Sequence, residues 1–296
     1  MPQPDPSQVV DAVLDWYDEH ARDLPWRRPS RTPWGVMVSE FMLQQTPVAR
    51  VLQPWQVWME RWPTPEALAS EPSSSAVAAW GRLGYPRRAL RLHQAAVAMV
   101  ERHDGQVPSS LDDLRALPGV GDYTAAAVAS FAFGQRQVVL DTNVRRVLAR
   151  VASGREYPDS SPTRAERDLA ESHLPADEAR AARWSVASME LGALVCTARS
   201  PRCGECPVVG KCAWLAAGRP RHADDPTARP RRGQAWEGTD RQCRGTLLQA
   251  LRDGVGGWST EELLALWPRD RDQAERSLKG LLDDGLAHES DGVVTL

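Results

Sequence analysis

Four cysteines, Cys196, Cys203, Cys206 and Cys212, stand within one short stretch as C-x6-C-x2-C-x5-C. The N-terminus, MPQPDPSQVV, lacks the basic-then-apolar signature of an export signal, so a reducing compartment is expected and disulfides would serve little purpose. Metal binding is therefore the first reading. Zinc loops usually present two C-x2-C knuckles on either side of a longer arm, whereas four thiolates crowded into one loop suit a cubane [4Fe–4S] cluster. A zinc loop, or unrelated buried cysteines, are the alternatives that spacing leaves open. Cys243 stands apart and reads as a small core residue.

The chain around this loop is mostly helix. Apolar positions recur at helical spacing through 8–20 and 36–62, and the pattern continues in short pieces as far as Val151, broken by Gly or Pro. Thr64-Pro65-Glu66 opens a helix with Thr as N-cap and Pro at its first position. Residues 218–236, rich in Arg, Pro, Asp and Ala, cannot bury a core and read as a linker. Beyond it, 237–296 predicts three helices, one opened by the capping box Ser259-Thr-Glu-Glu262, and a terminal hairpin over Ala287–Leu296. That order suggests a small winged-helix-like domain.

With 296 residues, two or more domains are expected, and no apolar run has the length of a membrane span. A cytoplasmic, nucleoid-associated monomer is the expectation. The net charge of −3 argues against a nucleic-acid partner only if it is spread evenly, and it is not: the tail 237–296 carries seven basic and twelve acidic residues, which leaves the rest mildly basic. Of 36 basic residues only Lys211 and Lys279 are lysine, and Asn143 is the one asparagine. Such a bias is expected of a GC-rich genome, and it makes each survivor a candidate for a role no other residue fills.

Three segments carry candidate chemistry. Leu117-Pro-Gly119-Val-Gly121 joins two helical stretches, and its glycines permit a tight turn that aims backbone N–H groups at an anion such as a DNA phosphate. Glu40, in Ser39-Glu40-Phe-Met-Leu-Gln-Gln45-Thr46, is a lone acid in an apolar helical stretch where burial would favour its protonated form. Asp141, in Val138-Val-Leu-Asp-Thr-Asn143-Val144, follows an apolar run. Two such carboxyls fit cleavage of a glycosidic bond, one as proton donor and the other as anion beside an oxocarbenium-like sugar. A surface charge or a helix N-cap is the plain reading of each.

The hairpin together with the cysteine loop resembles the helix-hairpin-helix DNA glycosylases of the endonuclease III superfamily over about residues 10–216. The resemblance implies a two-lobed, mostly α fold: 1–28 with 136–217 as the iron–sulfur domain, and 29–135 as a six-helix barrel bearing the hairpin. Members that also cut the strand carry a Schiff-base Lys after the hairpin; here that position is Tyr123. SEFMLQQT and LDTNVRRV, with Leu24-Pro-Trp26-Arg27, Leu83-Gly-Tyr85 and Met189-Glu190-Leu-Gly192, look like the MutY-type adenine DNA glycosylases, which remove adenine mispaired with 8-oxoguanine or guanine.

That resemblance implies the following roles. Glu40 protonates a flipped adenine, Asp141 stabilises the sugar cation, and Tyr123 and Asn143 position them. Gln45, Thr46 and Tyr85 meet the DNA at the gap, Gly119 and Gly121 hold a phosphate, and Trp26, Arg27 and Glu190 border the adenine pocket. Cys196, Cys203, Cys206 and Cys212 ligate a [4Fe–4S] cluster, and the partner is duplex DNA with a mismatched adenine. Thr142 departs from the family's Gly, and Pro86 from its second Tyr. The tail is too short for the β-rich domain that many members carry. Its acidity suggests that it packs on the catalytic part or binds a protein rather than reading DNA. A thymine- or uracil-mismatch glycosylase on the same scaffold, or a non-catalytic iron–sulfur regulator, are the competing readings.

Overall fold

The computed structural model describes residues 4–221, 236–254 and 256–296. Most of the 218–236 linker lies outside the described residues. The helices in chain order are α1 (Pro6–His20), α2 (Pro33–Leu43), α3 (Val48–Arg61), α4 (Pro65–Ala69), α5 (Ser73–Trp80), α6 (Arg87–Arg102), α7 (Leu111–Arg115), α8 (Asp122–Phe133), α9 (Thr142–Val151), α10 (Arg164–Ser172), α11 (Glu178–Leu194) and α12 (Ala213–Ala216). The tail adds α13 (Asp240–Asp253), β1 (Trp258–Ser259), α14 (Thr260–Ala265), α15 (Arg271–Asp283), β2 (His288–Ser290) and β3 (Val293–Thr295). The expected mostly α architecture is what forms, and no helix among the described residues is long and apolar enough to cross a membrane.

Two compact units divide the chain. The first comprises residues 1–37, 109–115 and 120–230; the second comprises 38–108, 116–119 and 231–296. In the first unit, α11 is the central helix. Val9, Val13 and Leu14 of α1 and Val147, Leu148 and Val151 of α9 close on Trp184, Ala187 and Leu191 of α11, all essentially free of solvent. Removing such side chains from water contributes roughly 1.5–3 kcal/mol each, which is what lets α9 and α11 approach closely enough to build a site between them.

The second unit has an aromatic centre. Trp58 packs edge-on against Trp62 and Trp80, with ring centroids 4.6 and 5.6 Å apart, and all three rings are buried. The helical pattern of 36–62 is interrupted at Gln44–Thr46, between α2 and α3. Gln45 lies in the left-handed region (φ 54°), and Pro47, the N-cap of α3, disfavours a helical residue before it.

The tail folds in the order helix, strand, helix, helix, strand, strand; its three helices and terminal hairpin are those expected, and the first strand is an addition. Ser259 and Glu262 form the reciprocal cap read from the sequence. Trp258–Ser259 pairs antiparallel with β3, which lies between β1 and β2. Two residues are too few to show alternation, so this strand left no signal. The tail packs on the rest of its unit: Arg252 donates to the Val77 carbonyl of α5 at 3.1 Å, and Arg87 of α6 lies 3.3 Å from Asp284.

Candidate active site and iron–sulfur loop

Asp141 is the N-cap of α9, so the plain reading of this residue is realised. Its Oδ1 accepts the Val144 amide at 2.6 Å and its Oδ2 accepts from Asn143 Nδ2 at 2.6 Å. Burial pushes the Asp141 carboxyl above its ordinary range, and these two bonds, made to the ionised form, oppose that shift only in part. A cap and a catalytic anion are compatible, because capping also holds the carboxylate at a fixed place beside the positive end of the helix.

Asn143 in turn is fixed by Arg146, whose Nη2 donates to Asn143 Oδ1 at 2.8 Å and to the Gly192 carbonyl at 2.6 Å. The same guanidinium donates through Nε to the Cys196 carbonyl at 2.7 Å. Hydrogen bonds therefore run without a break from the Asp141 carboxylate to the main chain of the first cysteine. Gly192 permits this approach: a Cβ there would stand 2.6 Å from Asn143 Cβ and 2.9 Å from its carbonyl oxygen.

All four cysteines of the run line one cavity, closed by Arg150, Val151, Leu191, Val195 and Trp214. They are unbridged. Among the described residues no three Cys, His, Asp or Glu side chains converge tightly enough to hold a single ion. Four cysteine side chains around one cavity are the donor set that a [4Fe–4S] cluster takes. Arg150, 1% exposed, donates through Nη1 to Cys196 Sγ at 3.4 Å and to the Thr197 carbonyl at 2.8 Å, and lies 4.8 Å over Trp214. A donor aimed at the sulfur fixes the place of that side chain at the edge of the cavity.

The LPWR and MELG segments meet through Glu190. This carboxylate has no solvent exposure, receives two bonds from the Arg22 guanidinium at 2.6 and 2.7 Å, and lies 2.9 Å from Arg27 Nη1. Burial alone would raise its pKa, but the two arginines hold it below the usual carboxylate range. Trp26 is buried in the 3₁₀ turn Pro25–Arg27. Tyr123, half-buried at the start of α8, packs on Ala126, Ala127 and Val139.

In the second unit Glu40 is 5% exposed, on the buried face of α2 beside Ser39 and Phe41. Gln45 and Tyr85 are exposed, and both adopt positive φ, 54° and 49°. That backbone is unfavourable for residues with a Cβ and tends to persist at sites of function. Thr46 is buried and accepts from Arg88 Nη2 at 3.1 Å. Gly119, at φ +80°, touches the rest of the unit so closely that a Cβ would lie 2.7 Å from Arg91 Cβ. Gly121 precedes α8 with ordinary extended backbone and open space around it, so the turn requires only the first of the two glycines.

Arg88 is the residue that sequence reading passed over here. Its Nη1 donates to the carbonyls of Phe41, Met42 and Gln44 at 2.8, 3.1 and 2.6 Å, and its Nη2 to the Gly84 carbonyl at 2.9 Å. One buried cation thus closes the end of α2 and ties the Gln45 loop to the Tyr85 loop. Burial pushes its pKa down to about 10, so it stays charged at neutral pH. Arg88→Met should cost about 2–4 kcal/mol by leaving these carbonyls unpaired. Thermal melting checks this, and an unchanged midpoint would show that Arg88 holds nothing.

Residues 38–172 match the HhH-GPD superfamily of base excision DNA repair proteins, and 196–212 match the iron–sulfur binding domain of endonuclease III. The adenine DNA glycosylase of Mycobacterium tuberculosis is 50% identical over 292 residues, covering 97% of this chain and 93% of its own. The chain belongs to the adenine DNA glycosylases. The human adenine DNA glycosylase is 43% identical over 210 residues, 68% of this chain and 38% of its own. Among solved structures, a thermostable thymine-DNA glycosylase superposes with a TM-score of 0.65 at 27% identity, over 72% of this chain and 97% of its own. A trapped endonuclease III–DNA covalent intermediate (TM-score 0.61, 22% identity) shares the fold.

The cofactor of a glycosylase with this domain is a [4Fe–4S] cluster. The departures from the family pattern sit easily in the structure. Thr142 is exposed at the first position of α9, where a side chain has room, and Pro86 caps α6 with φ −62°, as proline prefers.

Proposed function

We propose that this protein is a monofunctional base-excision glycosylase that hydrolyses the N-glycosidic bond of adenine mispaired with 8-oxoguanine or guanine in duplex DNA. The observation that supports this most is the fixed Asp141–Asn143 pair, standing in a chain half identical to a named adenine DNA glycosylase. Extrusion of the adenine comes first, because its glycosidic bond is out of reach in a stacked duplex and a mispaired base costs least to flip.

Glu40 supplies a proton to the departing adenine, and its burial in α2 favours the neutral acid that can do so. Asp141, its carboxylate form held by the bonds from Val144 and Asn143, stabilises the positive charge that grows on the sugar as the bond breaks. Water then adds to the sugar, leaving an abasic site and free adenine. Asn143 and Tyr123 position these groups. Gln45 and Tyr85 enter the gap, Thr46 holds the loop that carries Gln45, and the hairpin at Gly119 and Gly121 receives a backbone phosphate. Trp26 and Arg27 wall the adenine pocket, with Glu190 fixing Arg27.

Cys196, Cys203, Cys206 and Cys212 would hold the cluster, which when bound cross-links the loop after α11 and so steadies the helix that supports Asn143. Iron and sulfide in equal amounts, without stoichiometric zinc, are expected in the purified protein; a zinc-only protein would contradict this assignment.

Neither lysine of the chain, Lys211 in the cysteine loop or Lys279 in the tail, stands after the hairpin, so no Schiff base forms at that position. Incubation with an A:8-oxoguanine duplex is expected to break the adenine-bearing strand only after alkali, and borohydride is expected to trap no protein–DNA adduct. Strand breakage without alkali would overturn the monofunctional reading.

A further inference from the structure

The tail and the loops of Gln45 and Tyr85 share an open cleft with room for about 410 Å³ of solvent. Arg87, Arg88 and Arg244 line it. Arg244 of α13 is bonded through Nη2 to Asp284 Oδ2, Arg87 of α6 lies 3.3 Å from Asp284 Oδ1, and Arg241 lies 6.0 Å over the Tyr85 ring. Gly280 on α15 carries no Cβ that would stand 2.8 Å from Arg244 Nη1, so the guanidinium can lie flat against that helix. Among the described residues Asp284 is the one carboxylate lining the cleft. The tail is acidic as a whole, yet at this cleft the balance is basic.

We propose that Arg244 and Arg87 form a phosphate site through which the C-terminal domain binds the backbone of the DNA strand engaged by Gln45 and Tyr85. Two guanidinium groups held on one oxyanion present the fork geometry that suits a phosphate as well as a carboxylate. In the free protein Asp284 keeps the two arginines together and offsets one of their two charges. On the duplex a phosphate replaces it, and the pre-set pair costs little further ordering. The cleft is open on the side of two exposed residues with positive φ, Gln45 and Tyr85, so a strand that meets those side chains has its backbone within reach of the arginines. The acidity that seemed to keep the tail from DNA is carried mostly by other surfaces: Glu261 and Glu275 pair with Arg271, and Asp283 with Lys279.

The strand assignment rests on the proposed roles of Gln45 and Tyr85, so the test reads binding rather than base release. Affinity of the full-length protein for a duplex bearing an abasic-site analogue is measured by anisotropy from about 50 to 200 mM salt, where each phosphate contact adds close to one unit of slope. Arg244→Gln is expected to weaken binding about 5–10-fold at the low end of that range and to reduce the slope by about one, and Arg244→Lys to restore the slope. Asp284→Asn is expected to bind slightly tighter than wild type, and Arg271→Ala to match it. Melting of each variant confirms that it is folded. Wild-type affinity and slope in a folded Arg244→Gln, or a loss in Asp284→Asn as large as in Arg244→Gln, would overturn the proposal and leave the trio a latch between helices. Salt-sensitive binding by a protein that releases no adenine would instead refute the proposed activity and leave the phosphate site standing.

Discussion

Glu40→Gln is expected to slow adenine release by about 10²–10⁴ under single-turnover conditions while leaving affinity for the mismatched duplex near wild type. The size follows from what is lost. Adenine leaves readily only if it is protonated, and the amide of Gln keeps the shape and burial of Glu40 without a proton to give. Glu40 is 5% exposed, so removal of its side chain altogether, as in Glu40→Ala, would confound lost chemistry with a cavity in α2. The conservative variant separates the two, because its melting temperature should stay close to wild type. A Glu40→Gln protein that releases adenine within a few-fold of the wild-type rate would remove Glu40 from the reaction.

Asp141→Asn tests the second carboxyl in a way that its own geometry makes unusually clean. Asn caps helices about as well as Asp, so the bond to the Val144 amide can be kept and α9 should lose less than about 1 kcal/mol. What disappears is the negative charge beside the developing sugar cation, together with the bond from Asn143 Nδ2, which an amide NH2 cannot accept, with an expected loss of about 10²–10³ in rate at saturating DNA. A lower melting temperature with an unchanged rate would mean that Asp141 is a cap and nothing more. Arg146 acts on the same site from behind, since it fixes Asn143 and bonds the Cys196 carbonyl.

Residues with distinctive side chains were legible in the sequence. The cysteine run, the lone acid in the apolar stretch that became α2, and the Asp–Asn pair at the start of α9 were all visible because their surroundings make them unusual. The supporting arginines were not. Arg22, Arg88, Arg146 and Arg150 hold Glu190, the Gln45 and Tyr85 loops, Asn143 and Cys196 respectively, and three of the four are buried. In a chain with two lysines, arginine serves on the surface as well as in the core, and an arginine that binds six partners looks like one that binds water. The signal that remained was position: Arg146 and Arg150 are one turn apart on α9, directly below the Asp–Asn pair and facing α11.

The two loops around Gln45 and Tyr85 illustrate the other limit. LQQT and LGY marked them as places of interest, but a positive φ on Gln or Tyr has no composition signature, unlike one on Gly. The break between α2 and α3 follows from Pro47 and from the Arg88 guanidinium that closes the end of α2, and the latter is a contact between residues more than forty positions apart. The tail was readable as helices, cap and hairpin, yet its net charge pointed away from DNA because the sum hides Arg244, which meets Arg87 of α6 on one carboxylate.

The most direct test of the central claim is identification of the released base. Purified protein is incubated with A:8-oxoguanine, A:G, T:G and U:G duplexes, and the free base is identified by chromatography. Free adenine from the first two, with no thymine or uracil from the others, is the result this account predicts; thymine or uracil release, or no base from any duplex that the protein binds, would contradict it.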